Sequence, residues 1–298
     1  MRTKVSLTKT DSEILQVVQQ YHFLTASQLT RLRYSPGSLT TVQTRLKALA
    51  EAGYFLRRYL PYTAVGHPEY LYTLSTTGKH AIAEEEDGLT RVRKSEIKDM
   101  SYFHLSHVMQ LGDILIAAAL LTRSIPELYL KTVMHDLDLK KMPIQVSYEC
   151  YLPTGKRGKE TATVIPDAWV DWRYTSGAGG KEKRRVFCIE LDRGSIDQNR
   201  MKKKFRAYCE VAVSDAYIRT FGTDLCQVVY VCLTPARRDQ LLSFLEEELT
   251  LQGLEEESNL FRVGCPETLE NGKDIFLSPC FLRPYDEKHF SLLWQVRE

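Results

Sequence analysis

The sequence has no pair of cysteines in a CxxC arrangement, although it contains seven cysteines. The count is odd, and most of the cysteines lie inside apolar strings such as "FCIE" and "VVYVCLT". Both features argue against a disulfide framework and against a zinc site. We therefore expect buried free thiols in a reducing compartment.

Long apolar segments are also lacking. The N-terminus "MRTKVSLTKTDSE" has no apolar core of the kind that signal peptides carry. The longest apolar run, "ILIAAALL" at residues 114–121, is too short to span a bilayer. The sequence therefore predicts a cytoplasmic protein with no membrane partner.

The chain has little net charge, +2 at pH 7, so its overall charge does not indicate a nucleic-acid partner. Basic residues are nevertheless concentrated in the runs "GKRGK" (155–159), "KEKRR" (181–185) and "RMKKKFR" (200–206). A single run of this kind is usually a solvated surface. Three runs that flank the same acidic positions favour a polyanion-binding site.

Several catalytic motifs are missing. The stretch "TSGAGGKE" has glycines but lacks the GxxxxGK[ST] order of a phosphate-binding loop, and no nucleophile elbow is present. Tyrosine relaxases of the HUH type need two histidines that flank one hydrophobic residue, whereas His104 and His107 are three positions apart. These two histidines could ligate a metal across one helical turn, although hydrogen bonding is the commoner role of such a pair.

The length of 298 residues, with 43% hydrophobic and 26% charged residues, is typical of a two-domain protein. Residues 84–100, "EEEDGLTRVRKSEIKDM", are highly charged and nearly without apolar residues. We predict a first domain at residues 1–90, a linker at 91–101 and a second domain at 102–298.

The first domain has the pattern of three helices followed by a β-hairpin. Thr10 with Glu13 is a capping-box pattern for the first helix. In the third helix, from Ser38 to about Ala52, apolar residues recur at steps of three and four. The β-type runs "YFLRRYL" and "EYLYTLS" follow it. This order predicts a winged helix-turn-helix, whose third helix fits the major groove of DNA.

The outer face of that third helix carries hydroxyls, one amide and two cations, which suit phosphate and base-edge contacts. The residues that we expect to contact double-stranded DNA, on this helix and on the wing, are Thr40, Thr41, Gln43, Thr44, Arg45, Lys47, Arg57 and Arg58. The alternative is a protein-docking module that does not touch DNA.

A buried strand in the second domain ends in charges. The apolar run Val186–Leu191 in "RVFCIELDRGS" predicts a strand that is covered on both faces. Its carboxyl end, with Glu190 and Asp192, lies where ligand crevices of open α/β sheets usually form. Alternatively, Asp192 begins a loop and caps the next helix. Glu190 is inside the strand and would be costly to bury without a partner.

Asp167 in "IPDAWV" heads the preceding strand, so it would lie beside Glu190 if the two strands pair. Hydrolysis of a phosphodiester benefits from divalent cations that polarise the phosphoryl oxygen and lower the pKa of a bound water. Mg²⁺ and Mn²⁺ prefer carboxylate oxygens. We therefore predict Mg²⁺ or Mn²⁺ bound by Asp167, Glu190 and Asp192, with Lys204 approaching the scissile phosphate.

The Pro-Asp pair followed by Glu-x-Asp resembles the PD-(D/E)xK signature of the restriction-endonuclease-like fold. Asp192 stands where that signature has lysine. The next helix has the i, i+4 pair Lys204 and Tyr208, which resembles the QxxxY-type helix of the same superfamily. The resemblance implies that Lys204 and Tyr208 are catalytic together with the three carboxylates, although the Tyr208 ring could equally belong to the core. Lys202 and Lys203 on the same helix are further candidates for DNA contacts.

Most of the chain resembles the replication-relaxation family of bacterial plasmids and integrative elements. The segments that carry the resemblance are "LTASQLTRL", "GHPEYLYTLSTTGKHAI", "HLSHVMQLGD", "PDAWV", "IELDRGS" and "KKKFRAY". The resemblance implies roles in plasmid replication and in DNA relaxation during mobilisation, with other replication or transfer proteins of the element as partners. It also implies an α/β (α+β) fold, in which a winged helix-turn-helix precedes a restriction-endonuclease-like mixed sheet.

Two functions are compatible with these observations. The first is a metal-dependent nickase or relaxase-like enzyme whose winged helix selects the DNA site. The second is a catalytically inactive, sequence-specific DNA-binding replication initiator or transcriptional regulator.

Overall fold

The computed structural model describes residues 6–60, 69–83, 100–151, 154–175 and 182–293. The chain forms two compact units, Met1–Ala119 and Leu120–Glu298. Helices alternate with mixed sheets, so the predicted α/β class is confirmed. Within the predicted linker, residues 91–99 lie outside the described residues.

The first unit contains helices and a small antiparallel sheet. Its helices are α1 (Lys9–Tyr21), α2 (Ala26–Arg33), α3 (Leu39–Glu51), α4 (Thr76–Ala83) and the first part of α5 (Tyr102–Ser124). Its strands, which lie in the order β1-β3-β2, are β1 (Leu24–Thr25), β2 (Phe55–Leu60) and β3 (Glu69–Leu74). The predicted order of three helices and then a strand pair is therefore present.

Side-chain hydrogen bonds fix helix α2 to helix α5. The Nε2 group of Gln28 donates to the Met109 carbonyl oxygen at 2.8 Å and to Asp113 Oδ1 at 2.9 Å. Arg31 also forms an ion pair with Asp113. Because Gln28 is buried, these bonds satisfy polar groups that would otherwise be costly to remove from water.

The start of helix α1 differs from the capping box that its sequence predicted. Thr8 and Asp11 form the box, rather than Thr10 and Glu13. The Thr8 amide donates to Asp11 Oδ2 at 2.7 Å, and Arg45 of α3 donates to both carboxylate oxygens of Asp11. Asp11 is only 1% exposed, so the charged pair joins α1 to α3 inside the unit.

The second unit is built on a seven-stranded sheet with the order β12-β11-β10-β9-β8-β7-β4, beside a two-stranded sheet β5-β6. The strands are β4 (Leu128–His135), β5 (Ile144–Tyr151), β6 (Arg157–Val164), β7 (Ala168–Thr175), β8 (Glu182–Asp192), β9 (Gln227–Cys232), β10 (Phe261–Gly264), β11 (Phe281–Arg283) and β12 (Asp286–Phe290). The helices are α6 (Asp136–Leu139), α7 (Gln198–Val213), α8 (Asp215–Phe221) and α9 (Pro235–Gln252).

Strand β8 lies near the middle of the large sheet and is buried on both faces. It pairs antiparallel with β7 and parallel with β9. On one face Cys188 belongs to a core that includes Phe205 of α7 and Leu245 of α9. Phe187, which points to the other face, is also fully buried. The prediction of a strand covered on both faces is therefore confirmed.

The cysteines are free, as the sequence predicted. All seven are unpaired thiols, and four of them are buried. Their burial among apolar side chains is the usual situation of structural cysteines.

Helix α5 is the one described helix whose length and composition would allow it to cross a membrane. In the most apolar stretch of 18 residues within this helix, 67% of the residues are buried inside the protein. This burial is what the core helix of a soluble protein shows. The apolar run at residues 114–121 lies within this 23-residue helix.

We expect Asp11→Ala to lower the free energy of unfolding by about 2 kcal/mol, because it removes a cap and leaves Arg45 without its partner. Burial by itself raises the pKa of Asp11, but hydrogen bonds from Arg45 and Thr8 lower it to about 2. The stabilisation should therefore be present above pH about 4 and be lost as the pH falls towards 2. Urea unfolding at several pH values measures this difference.

The matched control is Glu13→Ala, which removes an exposed carboxylate from the same helix. Equal effects of the two substitutions, or an Asp11→Ala effect that does not change with pH, would show that the Asp11–Arg45 pair does not stabilise the unit.

Candidate active site

The register of two strands brings Asp167 and Glu190 to the same end of the sheet. Ala168 is paired with Ile189, so Asp167, directly before β7, lies opposite Glu190 on β8. The Leu191 amide donates to Asp167 Oδ2 at 2.9 Å, which ties the two strand ends together. The predicted pairing of these strands is confirmed.

Glu190 is buried, with 3% of its surface exposed, and both of its carboxylate oxygens have protein partners. Lys204 donates to Oε2 and the Tyr208 hydroxyl donates to Oε1. Lys204 and Tyr208 are one turn apart on α7, which begins at the N-cap Asp197. The charges at the end of β8 are thus matched by groups on the helix that follows it.

Burial has a large effect on the pKa values of Glu190 and Lys204. Removal from water raises the pKa of Glu190 to about 7, and the Asp167 carboxylate adds to this effect while Lys204 and Tyr208 oppose it. Burial by itself lowers the pKa of Lys204, but the carboxylates of Glu190, Asp167 and Asp192 raise it overall. The Lys204 ammonium contacts Glu190, and Asp167 and Asp192 are further negative charges that favour its protonated form.

Asp192 is held by an arginine that sequence reasoning missed. Arg237, in the first turn of α9, donates to Asp192 Oδ2 from Nε at 3.1 Å and from Nη2 at 2.9 Å. The Gly194 amide donates to Oδ1 of the same carboxylate. Asp192 is the last residue of β8, and it does not cap α7, because Asp197 does.

The predicted three-carboxylate metal site is not formed. In the described part of the chain, no group of three or more histidine, cysteine, aspartate or glutamate side chains is placed to hold a metal ion. The reason is that Arg237 engages Asp192, while Lys204 and Tyr208 engage Glu190. Asp167 and Glu190 remain as the neighbouring pair. His104 and His107 stack on α5, with 6.4 Å between ring centroids, and they are not part of such a group either.

Tyr208 is placed as a buried hydrogen-bond donor. It is fully buried, and burial raises the pKa of its hydroxyl well above the usual value. A covalent nucleophile must reach its substrate and lose its proton easily. The buried Tyr208 hydroxyl does not meet these requirements, and it donates a hydrogen bond to Glu190 instead.

Tyr230 is a second buried tyrosine near the site, and the sequence did not single it out. It pairs with Glu190 across β8 and β9. Its hydroxyl is buried and has no hydrogen-bond partner among the described residues. In the sequence, only the position of Tyr230 in the apolar run "VVYVCLT" could have indicated that it is buried.

Lys204 contacts Glu190, but the neighbouring lysines of the run 200–206 do not gather around the carboxylates as expected. Lys202 is paired with Glu247 at 2.9 Å and Lys203 with Glu160 at 3.0 Å, so both predicted DNA contacts are in surface ion pairs. Arg184, in the run 181–185, binds Asp171 near the start of β8. Six residues of extended strand separate it from Glu190, a distance of about 20 Å.

On the first unit, most of the predicted DNA contacts lie on the surface. The exposed residues of α3 are Thr40, Thr41, Gln43, Thr44, Lys47 and, at its end, Glu51. Arg45 is the exception, because its guanidinium binds Asp11 and is therefore not free to read a base.

The strand pair β2–β3 adds an aromatic surface that the sequence did not reveal. Arg57 lies over the Tyr70 ring, 4.9 Å from its centroid, and Arg58 lies 5.9 Å from the centroid of Tyr102. The Tyr59 and Tyr70 rings, 46% and 38% exposed, are in edge-to-face contact. Pairing of β2 with β3 brings Arg57, Tyr59 and Tyr70 together, whereas Tyr102 is the first residue of α5.

We expect Tyr208→Phe to lower the free energy of unfolding by roughly 1.5–3 kcal/mol at pH 8, because ionised Glu190 loses a donor. Tyr230→Phe is the matched control, since it deletes a buried hydroxyl that makes no hydrogen bond in the described residues. Urea unfolding of both variants measures the difference. Equal losses would mean that the Tyr208–Glu190 bond contributes nothing.

Of three comparisons with known proteins, one found a match. The family model described as "Replication-relaxation" matches residues 15–223, which is more than half of the chain. A search of curated proteins and a search of solved structures found no match. The match includes Asp167, Glu190, Lys204 and all of α3. The chain belongs to the replication-relaxation family.

Proposed function

We propose that the chain binds double-stranded DNA through its first unit and acts in the replication or relaxation of a mobile genetic element. The family supports the replication and relaxation context. The outer face of α3 is the observation that carries the DNA-binding proposal. Other replication or transfer proteins of the same element are the further partners that this context implies.

The exposed face of α3 has the chemistry of a helix that enters the major groove. It carries hydroxyls, an amide and one cation, and no carboxylate occurs on α3 before Glu51 at its end. Such side chains donate to phosphates and to base edges. In this proposal α3 is the recognition helix of a winged helix-turn-helix, and β2–β3 is its wing, with Arg57 and Arg58 near the DNA backbone.

A second candidate function is metal-dependent cutting of DNA, and the convergence of Asp167, Glu190 and Lys204 favours it. Mg²⁺ is commonly bound by one or two protein carboxylates together with substrate phosphates. Asp167 and Glu190 fit that requirement, whereas a three-carboxylate site that includes Asp192 does not. Mg²⁺ or Mn²⁺ bound there would polarise a phosphoryl oxygen and lower the pKa of a water. Lys204 would stabilise negative charge on the phosphate.

The alternative is a catalytically inactive DNA-binding replication initiator or transcriptional regulator. The observation that favours it is the neutralisation of the buried carboxylates by Lys204 and Arg237, which needs no metal ion. In that case the second unit serves as a clamp or as a surface for a partner protein.

We expect Lys47→Ala to weaken binding of the full chain to duplex DNA and to lower the salt slope of the affinity by about one, because one phosphate contact is lost. The control is Lys9→Ala, which removes an exposed lysine from α1. Fluorescence anisotropy at several salt concentrations provides the slope. An unchanged slope and affinity in Lys47→Ala would remove α3 as the DNA contact.

We expect the full chain to nick supercoiled plasmid when Mg²⁺ or Mn²⁺ is added, and Asp167→Ala to lose this activity because the metal loses a ligand. Asp239→Ala, which removes a carboxylate that is 59% exposed, is the control and should retain the activity. Gel electrophoresis separates supercoiled from nicked plasmid. If the wild-type chain binds the plasmid but never nicks it, the regulator alternative is correct.

A further inference from the structure

Two arginines of the second unit share one aromatic ring. The Cζ atoms of Arg262 on β10 and Arg283 on β11 lie 5.1 and 5.4 Å from the centroid of the Phe290 ring on β12. Both side chains also bind Asn259: Arg262 Nη1 donates to its carbonyl oxygen at 3.2 Å, and Arg283 Nη1 donates to its Oδ1. The two guanidinium groups are therefore fixed near each other.

The cluster formed by Arg262, Arg283, Asp286 and Phe290 has more positive than negative charge. Arg283 forms an ion pair with Asp286, whereas the hydrogen bonds of Arg262 go to the backbone carbonyls of Asn259 and Phe261. Among the described residues, no carboxylate forms an ion pair with Arg262. Arg262 differs in this respect from Arg237 of α9, which forms an ion pair with Asp192.

A third arginine, Arg185, lies on the same face of the sheet. Arg262 is in register with Val229, and Val229 with Ile189 of β8. Alternation along β8 puts Arg185 on the same side as Ile189. The Arg185 side chain is exposed near the start of that strand.

The positive charges of this cluster repel one another. Burial lowers the pKa of Arg262, the nearby charges of Arg283 and Arg185 lower it further and Asp286 raises it, with a combined result of about 10. Guanidinium groups that lie near one another match the oxygens of a phosphate, which accepts several N–H donors at once. Arg283 is 31% exposed, so an anion can approach the cluster from solvent.

We propose that Arg262, Arg283 and Arg185 form a binding site for the phosphodiester backbone of DNA on the second unit. Arg262 and Arg283 lie beyond residues 15–223, so the site is not part of the region that the family match covers. It is also distinct from the Glu190 site, because Arg262 is level with Ile189 and consecutive strand residues point to opposite faces of the sheet. The inference rests on the proposed DNA binding and adds a second contact surface to it.

The test is the salt dependence of duplex DNA binding by the full-length chain. Arg262→Gln should weaken binding to different sequences equally and lower the salt slope by about one, since a phosphate contact carries no sequence information. Arg185→Gln, at an exposed position, should do the same and tests the site even if Arg262→Gln fails to fold. The control is Arg238→Gln, where the lost charge was paired with Asp239.

Lys47→Ala, measured beside these variants, separates the two claims. If Lys47→Ala lowers the slope and neither arginine variant does, Arg262 and Arg283 have only a structural role and the inference is overturned, while the proposed function stands. If the arginine variants lower the slope and Lys47→Ala does not, the inference stands and α3 is not the contact. A chain that does not bind DNA at all overturns both.

Discussion

A carboxylate buried at the end of a central strand is the constraint on which the second unit depends. Glu190 is 3% exposed, and an ionised carboxylate in that position would be very costly without partners. Lys204 and Tyr208, one turn apart on α7, supply a cation and a hydroxyl. Because both donors are on the same helix, the need to satisfy Glu190 also fixes the rotation of α7 against the sheet, where Phe205 fills the core.

The burial of Glu190 with its protein partners also explains why both proposed functions, DNA cutting and DNA binding without catalysis, are compatible with the same group of residues. Asp167 beside Glu190, with Lys204 bound to Glu190, supplies two carboxylates and a cation of the kind that the proposed phosphodiester-cutting site would use. Arg237 removes Asp192 from that set by binding it through two nitrogen atoms. Without a metal, the carboxylates are already neutralised by protein cations. A divalent ion would therefore have to compete with Lys204 for Glu190.

The sequence was sufficient to predict contacts that depend on local order along the chain. Asp167 and Glu190 end neighbouring strands, and Lys204 lies on the next helix, so pairing of consecutive strands brings them together. It was not sufficient where a partner comes from a distant element. Arg45 was assigned to DNA from its place on the outer face of α3, but Asp11 of α1 binds it. Helical periodicity identifies the exposed face and does not show which neighbouring helix packs beside it.

The most direct test of this account is a titration of the Glu190 carboxyl group by ¹³C NMR in the metal-free, full-length chain, with the signal assigned by its loss in Glu190→Gln. The account predicts that the Glu190 carboxyl group titrates with a pKa of about 7, because burial outweighs the attraction of Lys204. A pKa near the usual 4.5 would contradict it, since Glu190 would then be solvated and would not be the buried partner of Lys204 and Tyr208.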